Sequence, residues 1–476
     1  RDELPRIHLS FARAYFYLNR LGKSTEHLEK VLSLIEDVRS SENKDLSLGL
    51  LEVFHDAYRL RTQIKLECPL EAFEASDFLK ARLLRDKINQ SPTRTHFTIA
   101  PASRRALEAL SLKVIDDPNA AAEIRKHEAL ITTAVPELRL PGLDLSELNS
   151  NDVLRNTAII SYFITLDNRL LAFVREKGNT IRSIYIPDSE HEIENDVRKT
   201  EQKIKNLIYF KRDGKQLFDT LMKPLNLSAK HIIIVPDKHL WKVPFQALSP
   251  DGERYLIEDT IVSYAPSVSI LVEQLKGEKP VRRTLQAFAN PSYNDRYLRF
   301  VNAEAAAVTR LFESRPILNA TVADFRRLSG KYDMLHFSMH AQVDKDRPLD
   351  SFLGFKGIGK NSVRLTVEHL SNIQLKKGSL VFLASCATNN VLSGEGLVSL
   401  AWGMMGSGAT TVISAQWEAD DRLAGLFTKK FYGYYKQGSS SAEALQKASQ
   451  DLIKDKSNNM HEPYYWAGFA VNGDFR

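Results

Sequence analysis

The chain has 476 residues, and its 65 Lys and Arg against 59 Asp and Glu give a formal net charge of only +6. There is no run of about 18 apolar residues that could span a membrane, and no block of five basic residues that would indicate a dedicated nucleic-acid surface. Two cysteines, Cys68 and Cys386, exclude a disulfide framework and a four-cysteine zinc site. We therefore expect a cytoplasmic protein of several domains without a cofactor.

The first part of the chain predicts helical hairpins. Apolar residues recur every three or four positions in residues 9–18 and again in residues 28–35. Gly22 suits the position after the first helix, and Ser24 or Thr25 suits the N-cap of the second. A second pair of helices is expected, with Pro69 in the first turn of its last helix.

The spacing of these helices resembles a repeat. The helix starts near Leu9 and Asp45 lie 36 positions apart, close to the period of about 34 residues in tetratricopeptide repeats. We expect such repeats over residues 1–95 and a helical connector over residues 96–150, with a plain helical bundle as the alternative. One or two repeats are too few to be stable alone, which predicts further repeats before the first residue.

After the connector the pattern changes to short apolar strands. Residues 158–164 and 170–174 flank a turn and predict a β-hairpin, which residues 181–186 extend, and residues 463–469 predict the last strand. Further continuous apolar runs alternate with helical patterns and predict a parallel sheet that is covered on both faces. These runs are residues 232–235, 286–289, 334–337, 380–383 and 410–413. The predicted fold class is α/β, with a three-layer α/β/α domain over residues 151–476.

Two of the predicted strands are followed by residues suited to nucleophilic catalysis. His340 follows one and Cys386 another, and the carboxyl ends of parallel strands meet at one edge of a sheet. A thiol nucleophile needs an imidazole that takes its proton. From the residues alone, a buried structural role for Cys386 is an equal alternative, because free cysteines are often buried.

Two other signals receive structural interpretations. His336 and His340 have the spacing of a zinc pair on a helix, but their apolar neighbours predict a strand, where four residues span about 13 Å. No metal site is therefore expected, and His336 is interpreted as a core histidine. Cys68, beside Pro69 and without a nearby histidine, is interpreted as a structural residue within a helix.

Several motifs, in order along the chain, carry a resemblance to a known family. They are residues 234–248, 255–258, 263–267, 335–341, 384–388, 394–397, 406–409 and 414–421. Together they resemble the CHAT domain, a caspase-like cysteine peptidase domain that is related to separase and often follows tetratricopeptide repeats. The resemblance implies a caspase-like fold for residues 151–476.

The resemblance also implies residue roles. Cys386 matches the nucleophile and His340 the general base of a catalytic dyad. The oxyanion hole would be formed by the backbone amide of Cys386 together with that of Ala341 or Gln342. Ala341 stands where caspases usually have glycine.

Acidic residues near the two strand ends are candidates for substrate selection. In separase-like relatives an acid in the matching segment contacts an arginine at the cleavage site, which implies Glu418, Asp420 or Asp421 here. Asp344, which follows His340, is a further candidate for the S1 pocket. Such acids would favour a basic residue before the scissile bond. The alternative is that they are solvated loop charges, or that Asp420 or Asp421 caps a helix.

The leading expectation is therefore a cysteine endopeptidase that cleaves a protein substrate after a basic residue. The repeat-like region would bind that substrate or a regulatory protein. One alternative is a non-catalytic scaffold, and another is a latent enzyme whose site a partner assembles. The presence of both His340 and Cys386 favours an enzyme.

Overall fold

The structure is a computed structural model, and it describes most of the chain. The described residues are 3–40, 48–80, 148, 151–176, 178, 180–277, 280–294, 296–344, 347–357, 362–370, 373–384, 400–417 and 421–476. Within these residues, no helix combines the length and the hydropathy that a membrane crossing requires.

The chain begins with two helical hairpins. Their helices are α1 (Glu3–Tyr17), α2 (Leu21–Ser40), α3 (Leu48–Ile64) and α4 (Pro69–Leu79), and Pro69 lies in the first turn of α4 as predicted. The tetratricopeptide period stays a prediction.

The first turn differs from the sequence expectation. Asn19 adopts the left-handed conformation with φ 55°, and α2 begins at Leu21, so Gly22 and Ser24 lie inside the helix. The predicted caps were wrong because asparagine also tolerates the left-handed region. The Ser24 hydroxyl donates instead to the carbonyl of Ala12 at 2.7 Å, which joins α2 to α1.

The rest of the chain alternates strands with helices. The strands are β1 (Thr157–Ile164), β2 (Arg169–Arg175), β3 (Ile181–Ser189), β4 (His231–Val235), β5 (Ile261–Tyr264), β6 (Leu285–Asn290), β7 (Ser292–Tyr293), β8 (Arg296–Tyr297), β9 (Ile317–Leu318), β10 (Met334–Met339), β11 (Ala341–Gln342), β12 (Phe352–Lys356), β13 (Ser362–Thr366), β14 (Leu380–Leu383), β15 (Thr411–Ala415) and β16 (Phe469–Gly473). The helices are α5 (Glu190–Lys205), α6 (Lys211–Leu221), α7 (Val268–Leu275), α8 (Val301–Leu311), α9 (Val322–Leu328), α10 (Val367–Leu370), α11 (Leu400–Gly406), α12 (Asp421–Lys436), α13 (Ser441–Lys454) and α14 (Pro463–Trp466).

Eleven strands form one sheet in the order β3-β2-β1-β4-β5-β16-β15-β14-β10-β6-β9. Neighbouring strands are parallel, except within β1-β2-β3 and between β15 and β16. The predicted hairpin and the mostly parallel sheet are confirmed. Two small sheets accompany it, β11-β12-β13 and β7-β8.

The last strand was predicted in the wrong place. Pro463 starts the short helix α14, and β16 begins only at Phe469 and runs antiparallel to β15. Proline suits a first helical turn, which explains the shift.

The direction of β16 divides the sheet into two halves. β16 is parallel to β5 but antiparallel to β15. Consequently β1, β4 and β5 run opposite to β6, β10, β14 and β15. We call the edge at the carboxyl ends of β1, β4 and β5 the first carboxyl edge. The edge at the carboxyl ends of β6, β10, β14 and β15, on the opposite side of the sheet, is the second carboxyl edge.

Helices cover both faces of the sheet, so the predicted three-layer architecture is confirmed. One face packs against α4, α7, α8, α12 and α13. The other packs against α5, α6, α9, α10 and α11. The helical region joins the first of these cores, where the rings of Phe73 in α4 and Phe173 in β2 lie 5.8 Å apart.

The end of α4 closes the first carboxyl edge. The Lys80 ammonium group is buried and donates to the carbonyl of Val235 at 2.9 Å, to the hydroxyl of Ser161 at 3.0 Å and to the carbonyl of Tyr162. Burial lowers the pKa of Lys80 to about 8, and the carboxylates of Asp237 and Asp77 oppose that shift.

Asp77 adds a second attachment at the same edge. Its carboxylate accepts the amides of Val268 and Ser269 at the start of α7, the second at 3.0 Å. An anion at a helix N-terminus satisfies otherwise unpaired amides and the helix dipole. The helical region is therefore held on the α/β domain by buried polar contacts as well as by apolar packing.

Candidate active site

His340 lies at the second carboxyl edge, directly after β10. Side chains alternate along β10, so that Leu335, Phe337 and Met339 enter one core while His336 and Ser338 face the other. The His340 carbonyl accepts the amide of Gly354 in β12 at 2.9 Å, which fixes the backbone just past the strand end. The residue is half-buried.

A buried polar cluster connects β10 to the helices on one face of the sheet. The Glu304 carboxylate in α8 accepts the hydroxyl of Ser338 and, at 3.0 Å, that of Thr428 in α12. His336 is fully buried, with its Nε2 atom 3.6 Å from Glu304 Oε1. Burial lowers the pKa of His336 to about 3, so its ring is neutral near pH 7. The interpretation of His336 as a core histidine is confirmed, and the cluster ties β10 to α8 and α12.

An aromatic ring lies against His340 on the side of β6. The centroids of the Tyr293 and His340 rings are 6.2 Å apart at an interplanar angle of 47°. Tyr293 packs over Gly354, where a Cβ atom would lie 2.5 Å from the tyrosine ring. Asn290 holds this arrangement, because its amide donates to the carbonyls of Gly354 at 3.0 Å and Ser292 at 2.9 Å.

Sequence reasoning did not single out these neighbours of His340. Asn290 is the last residue of β6, and the dipeptide Asn290-Pro291 follows an apolar run just as His340 does. Polar residues at strand ends were the available signal. Tyr293 and Gly354 had none, because their contact depends on short strands paired far apart in sequence.

Arg364 reaches the same place from β13. Gly354 and Arg364 are directly opposite in the β12–β13 pair. The Arg364 Nε donates to the Tyr293 hydroxyl at 2.9 Å, and the guanidinium lies 4.8 Å from the centroid of the Phe352 ring. The residue is exposed. A cation thus lies one side chain away from the His340 ring.

In the sequence the predicted nucleophile, Cys386, comes three residues after the neighbouring strand, β14. In the parallel β10–β14 pair Phe337 lies beside Leu383, and the Ala384 amide donates to the Phe337 carbonyl at 3.0 Å. Cys386 itself lies outside the described residues, so its position relative to His340 stays a prediction.

The two amides predicted for the oxyanion hole differ in their surroundings. In the antiparallel β11–β12 pair Ala341 lies opposite Leu353, and Gln342 lies opposite Phe352. The bond from the Gly354 amide to the His340 carbonyl makes Gln342 and Phe352 the hydrogen-bonded pair. The Gln342 amide is therefore used within the ladder, whereas the Ala341 amide points away from β12.

Of the four predicted S1 acids, only Asp421 and Asp344 belong to the described residues. Glu418 and Asp420 lie outside the described residues, and Asp421 is the first residue of α12, so the helix cap proposed as the alternative stays a prediction. Asp344 lies in the turn after β11, where its carboxylate accepts the Arg347 amide at 2.8 Å and its own amide donates to Ser351 at 3.0 Å.

The chain just before Glu418 is firmly held. The Gln416 side chain donates to the Trp241 carbonyl at 3.1 Å, and its backbone amide donates to Gly468 at 2.8 Å. The indole of Trp417 is buried and donates to the Tyr464 carbonyl at 3.0 Å. Hydrogen bonds thus hold the two residues that follow β15 at the second carboxyl edge.

Among the described residues, no group of three or more His, Cys, Asp or Glu side chains is placed to hold a metal ion. Cys68 is exposed and precedes α4 as its N-cap. Its predicted position within a helix was wrong, because Pro69 starts the helix and leaves Cys68 outside it, and its structural role stays a prediction.

The fold is similar to that of separase. A structure of the Saccharomyces cerevisiae separase–securin complex matches with a TM-score of 0.56 at 10% identity, covering 94% of this chain and 37% of the separase chain. A second structure of that complex gives 0.52 at 9% identity, with the same coverage. The chain thus spans little more than a third of separase. Identity this low shows a common fold and nothing finer.

Other comparisons add less. The Arg-specific cysteine proteinase gingipain R of Porphyromonas gingivalis matches at a TM-score of only 0.36 and 11% identity, covering 60% of this chain and 74% of its own. No curated protein matches the sequence. The family of CHAT domains, in contrast, matches residues 211–474, more than half of the chain. Its motifs and this match together show that the chain belongs to the CHAT domain family.

Proposed function

We propose that the chain is a cysteine endopeptidase with Cys386 as nucleophile and His340 as general base. The observation that carries the proposal is the register of β10 and β14, in which Phe337 lies beside Leu383. His340 follows Phe337 by three residues, and Cys386 follows Leu383 by three. Equal distances past a paired position on adjacent parallel strands support a meeting of the two side chains at the second carboxyl edge.

The proposed chemistry proceeds in two steps. His340 takes the Cys386 thiol proton, and the thiolate forms a C–S bond with the scissile carbonyl carbon. The C–N bond then breaks, and the His340 imidazolium gives its proton to the leaving amine. In the second step His340 takes a proton from water, the hydroxide attacks the thioester, and the thiol is regenerated as the acid product leaves.

The oxyanion of each tetrahedral intermediate needs backbone donors. The ladder position of Gln342 supports Ala341, rather than Gln342, as the donor beside His340. The amide of Cys386 is the second proposed donor. Each such donor is worth about 3–4 kcal/mol in the barrier when it is aimed at the developing charge.

Cleavage after a basic residue is the finer part of the proposal. Glu418, Asp420 and Asp421 follow β15, on the Cys386 side of His340, which supports them as the acids of the S1 pocket. Asp344 has weaker support, because its carboxylate already accepts the amide of Arg347 in a turn.

A protein partner is a further part of the proposal. Separase is in complex with securin in the matching structures, which supports a protein regulator for this chain as well. Leu4, Ile7 and Phe11 share one face of α1 and are each 49% exposed, so the repeat-like helices offer an apolar docking surface. We also propose that the protein acts in the cytoplasm.

The test is proteolysis of a peptide library by the full chain and by its Cys386→Ala variant. We expect the variant to lose at least about a thousandfold in kcat/KM, as nucleophile removal does in other peptidases. Cys68→Ala is the matched control, because Cys68 is exposed on the helical region, and it should cleave at the wild-type rate. Equal cleavage by the Cys386→Ala variant would refute the proposal.

A thiol-reactive peptide probe with arginine at its reactive end separates the remaining alternatives. Labelling of Cys386 in the isolated chain supports an assembled site. Labelling only in the presence of a partner would indicate a latent enzyme. If Cys386 stays unlabelled under every condition, the chain is a scaffold.

A further inference from the structure

The His340 side of the candidate site is lined by exposed cations. Arg364 is hydrogen-bonded to the Tyr293 hydroxyl at 2.9 Å, and Tyr293 lies against the His340 ring. Arg296 is directly opposite Tyr293 in the β7–β8 pair and is also exposed. The phenol hydroxyl is neutral, so its contact orients the Arg364 guanidinium without neutralising it.

Nearby acids do not cancel this charge in the described part of the chain. Asp350 forms an ion pair with Arg347 at 3.0 Å, which leaves that pair neutral. The Asp344 carboxylate is turned to the amide of Arg347 in its own turn. The Arg364 guanidinium also lies over the Phe352 ring, a contact that restricts it and lowers the entropy lost when it binds an anion.

The chemistry of the dyad tells which part of a substrate would pass these arginines. The general base becomes the acid that protonates the leaving amine, so the leaving group must lie on the His340 side of the scissile bond. Tyr293 follows β6 and holds Arg364, and β6 and β14 lie on opposite sides of β10, the strand that leads to His340. The substrate segment after the scissile bond therefore extends toward Arg364.

We propose that Arg364, assisted by Arg296, forms an anion-binding subsite for acidic residues that follow the scissile bond. The inference rests on the proposed peptidase function and adds a substrate class to it: a polypeptide with a basic residue before the cleaved bond and Asp or Glu within about three residues after it. A guanidinium binds a carboxylate through two parallel hydrogen bonds, which gives direction as well as charge.

The test uses three peptides that share one sequence with a central arginine. The first carries two glutamates directly after the arginine, the second carries two alanines there, and the third has the two glutamates before the arginine. Binding is measured by fluorescence anisotropy with the dye-labelled peptides and the full-length Cys386→Ala variant, which holds them without cleavage. Cleavage by the wild-type chain is measured in parallel.

We expect the first peptide to bind and react about tenfold better than the second, and the third to gain little. The ratio of the affinities for the first and second peptides should fall toward one in Arg364→Gln. It should remain above one in Arg364→Lys, which keeps the charge but not the planar guanidinium. The preference should also weaken with added salt, because the site is exposed. Arg310→Gln removes an exposed charge from the last turn of α8 and should leave the preference unchanged.

Each contrary result has a distinct meaning. Equal binding of the first two peptides, or no binding of either, would overturn the subsite. A preference for the third peptide, or one that survives Arg364→Gln, would place anion recognition elsewhere and also overturn it. Acid-dependent binding lost in Arg364→Gln, but with no cleavage by the wild-type chain, would support the subsite and refute the peptidase proposal alone.

Discussion

Both carboxyl edges of the sheet are formed by the ends of parallel strands, but different side chains lie beyond those ends. At the first carboxyl edge, Lys80 of the helical region donates to strand carbonyls, and Asp77 accepts backbone amides at the start of α7. At the second, His340 stays half-buried beside Tyr293, and Arg364 is exposed. Among the described residues, the helical region thus occupies the first carboxyl edge, whereas the proposed site lies at the second.

The two halves also treat buried polar groups differently. The first half buries an amine among carbonyl and hydroxyl oxygens, with a pKa of about 8. The second half buries His336 in neutral form beside Glu304, with a pKa of about 3. The first arrangement attaches one region to another, whereas the second stiffens the strand that leads to His340.

The largest loss of stability is expected from a substitution at the first carboxyl edge. Lys80→Met removes the donor from buried carbonyls and leaves Asp237 with one compensating charge fewer, so we expect the free energy of unfolding to fall by about 3–5 kcal/mol. Urea denaturation measures this loss. Any cleavage activity per folded molecule should not change, because Lys80 lies at the edge opposite His340.

The pH dependence sharpens the same test. The pKa of Lys80 falls from 10.5 to about 8 on folding, so between these values the unfolded chain binds more protons. The Lys80 contribution to stability therefore rises with pH across that window and is absent in Lys80→Met. Lys65→Met, which disturbs a more exposed pair with Glu71, should cost less than about 1 kcal/mol. A similarly small loss in Lys80→Met would contradict the comparison.

An intermediate loss of stability is expected from a substitution at the second carboxyl edge. In Gly354→Ala the new methyl group meets the Tyr293 ring, so this ring, which lies against His340, must shift. We expect a loss of about 1–3 kcal/mol in stability from this overpacking and a fall in kcat that exceeds the fall in folded fraction. Thermal unfolding and peptide cleavage provide the two measurements.

Two further variants control this prediction. Once Tyr293→Ala has removed the ring, adding Gly354→Ala should cost little more. Gly433→Ala in α12 meets no atom within 4 Å and should be neutral or slightly stabilising, since alanine favours a helix. Additive losses from Gly354→Ala and Tyr293→Ala would show that the two residues act independently.

The smallest effect near pH 7 is expected for the buried histidines. His336→Gln should cost about 1 kcal/mol or less near neutral pH. Between pH 6.5 and about pH 3, His336 is protonated in the unfolded state but stays neutral in the folded state. The stability of the wild-type protein therefore falls as the pH decreases, and that of the variant should fall less. His231→Gln in β4 should show the same change over a narrower window, because the pKa of His231 is about 4. Unfolding midpoints at pH 7, 5 and 4 test both, and parallel curves for wild type and variants would contradict this expectation.

The sequence predicted the strands of the sheet well because buried parallel strands are continuous apolar runs, as in β4, β10 and β14. It also indicated His340 through its place after such a run. The left-handed conformation of Asn19 was missed because asparagine adopts it as well as glycine. The start of β16 was misplaced because Pro463 begins a short helix. The direction of β16, and the contacts among Tyr293, Gly354 and Arg364, could not be predicted, since they depend on pairing between segments distant in the chain.

The reversal at β16 sets a minimum length for any tether between the helices and the proposed site. A five-residue strand such as β15 is about 17 Å long, so a segment that is anchored at the first carboxyl edge must cross at least that distance to reach His340. An extended peptide covers it with no fewer than about five residues, before any detour around the covering helices. A regulator anchored at the first carboxyl edge therefore needs at least about five extended residues beyond that contact to reach the proposed site.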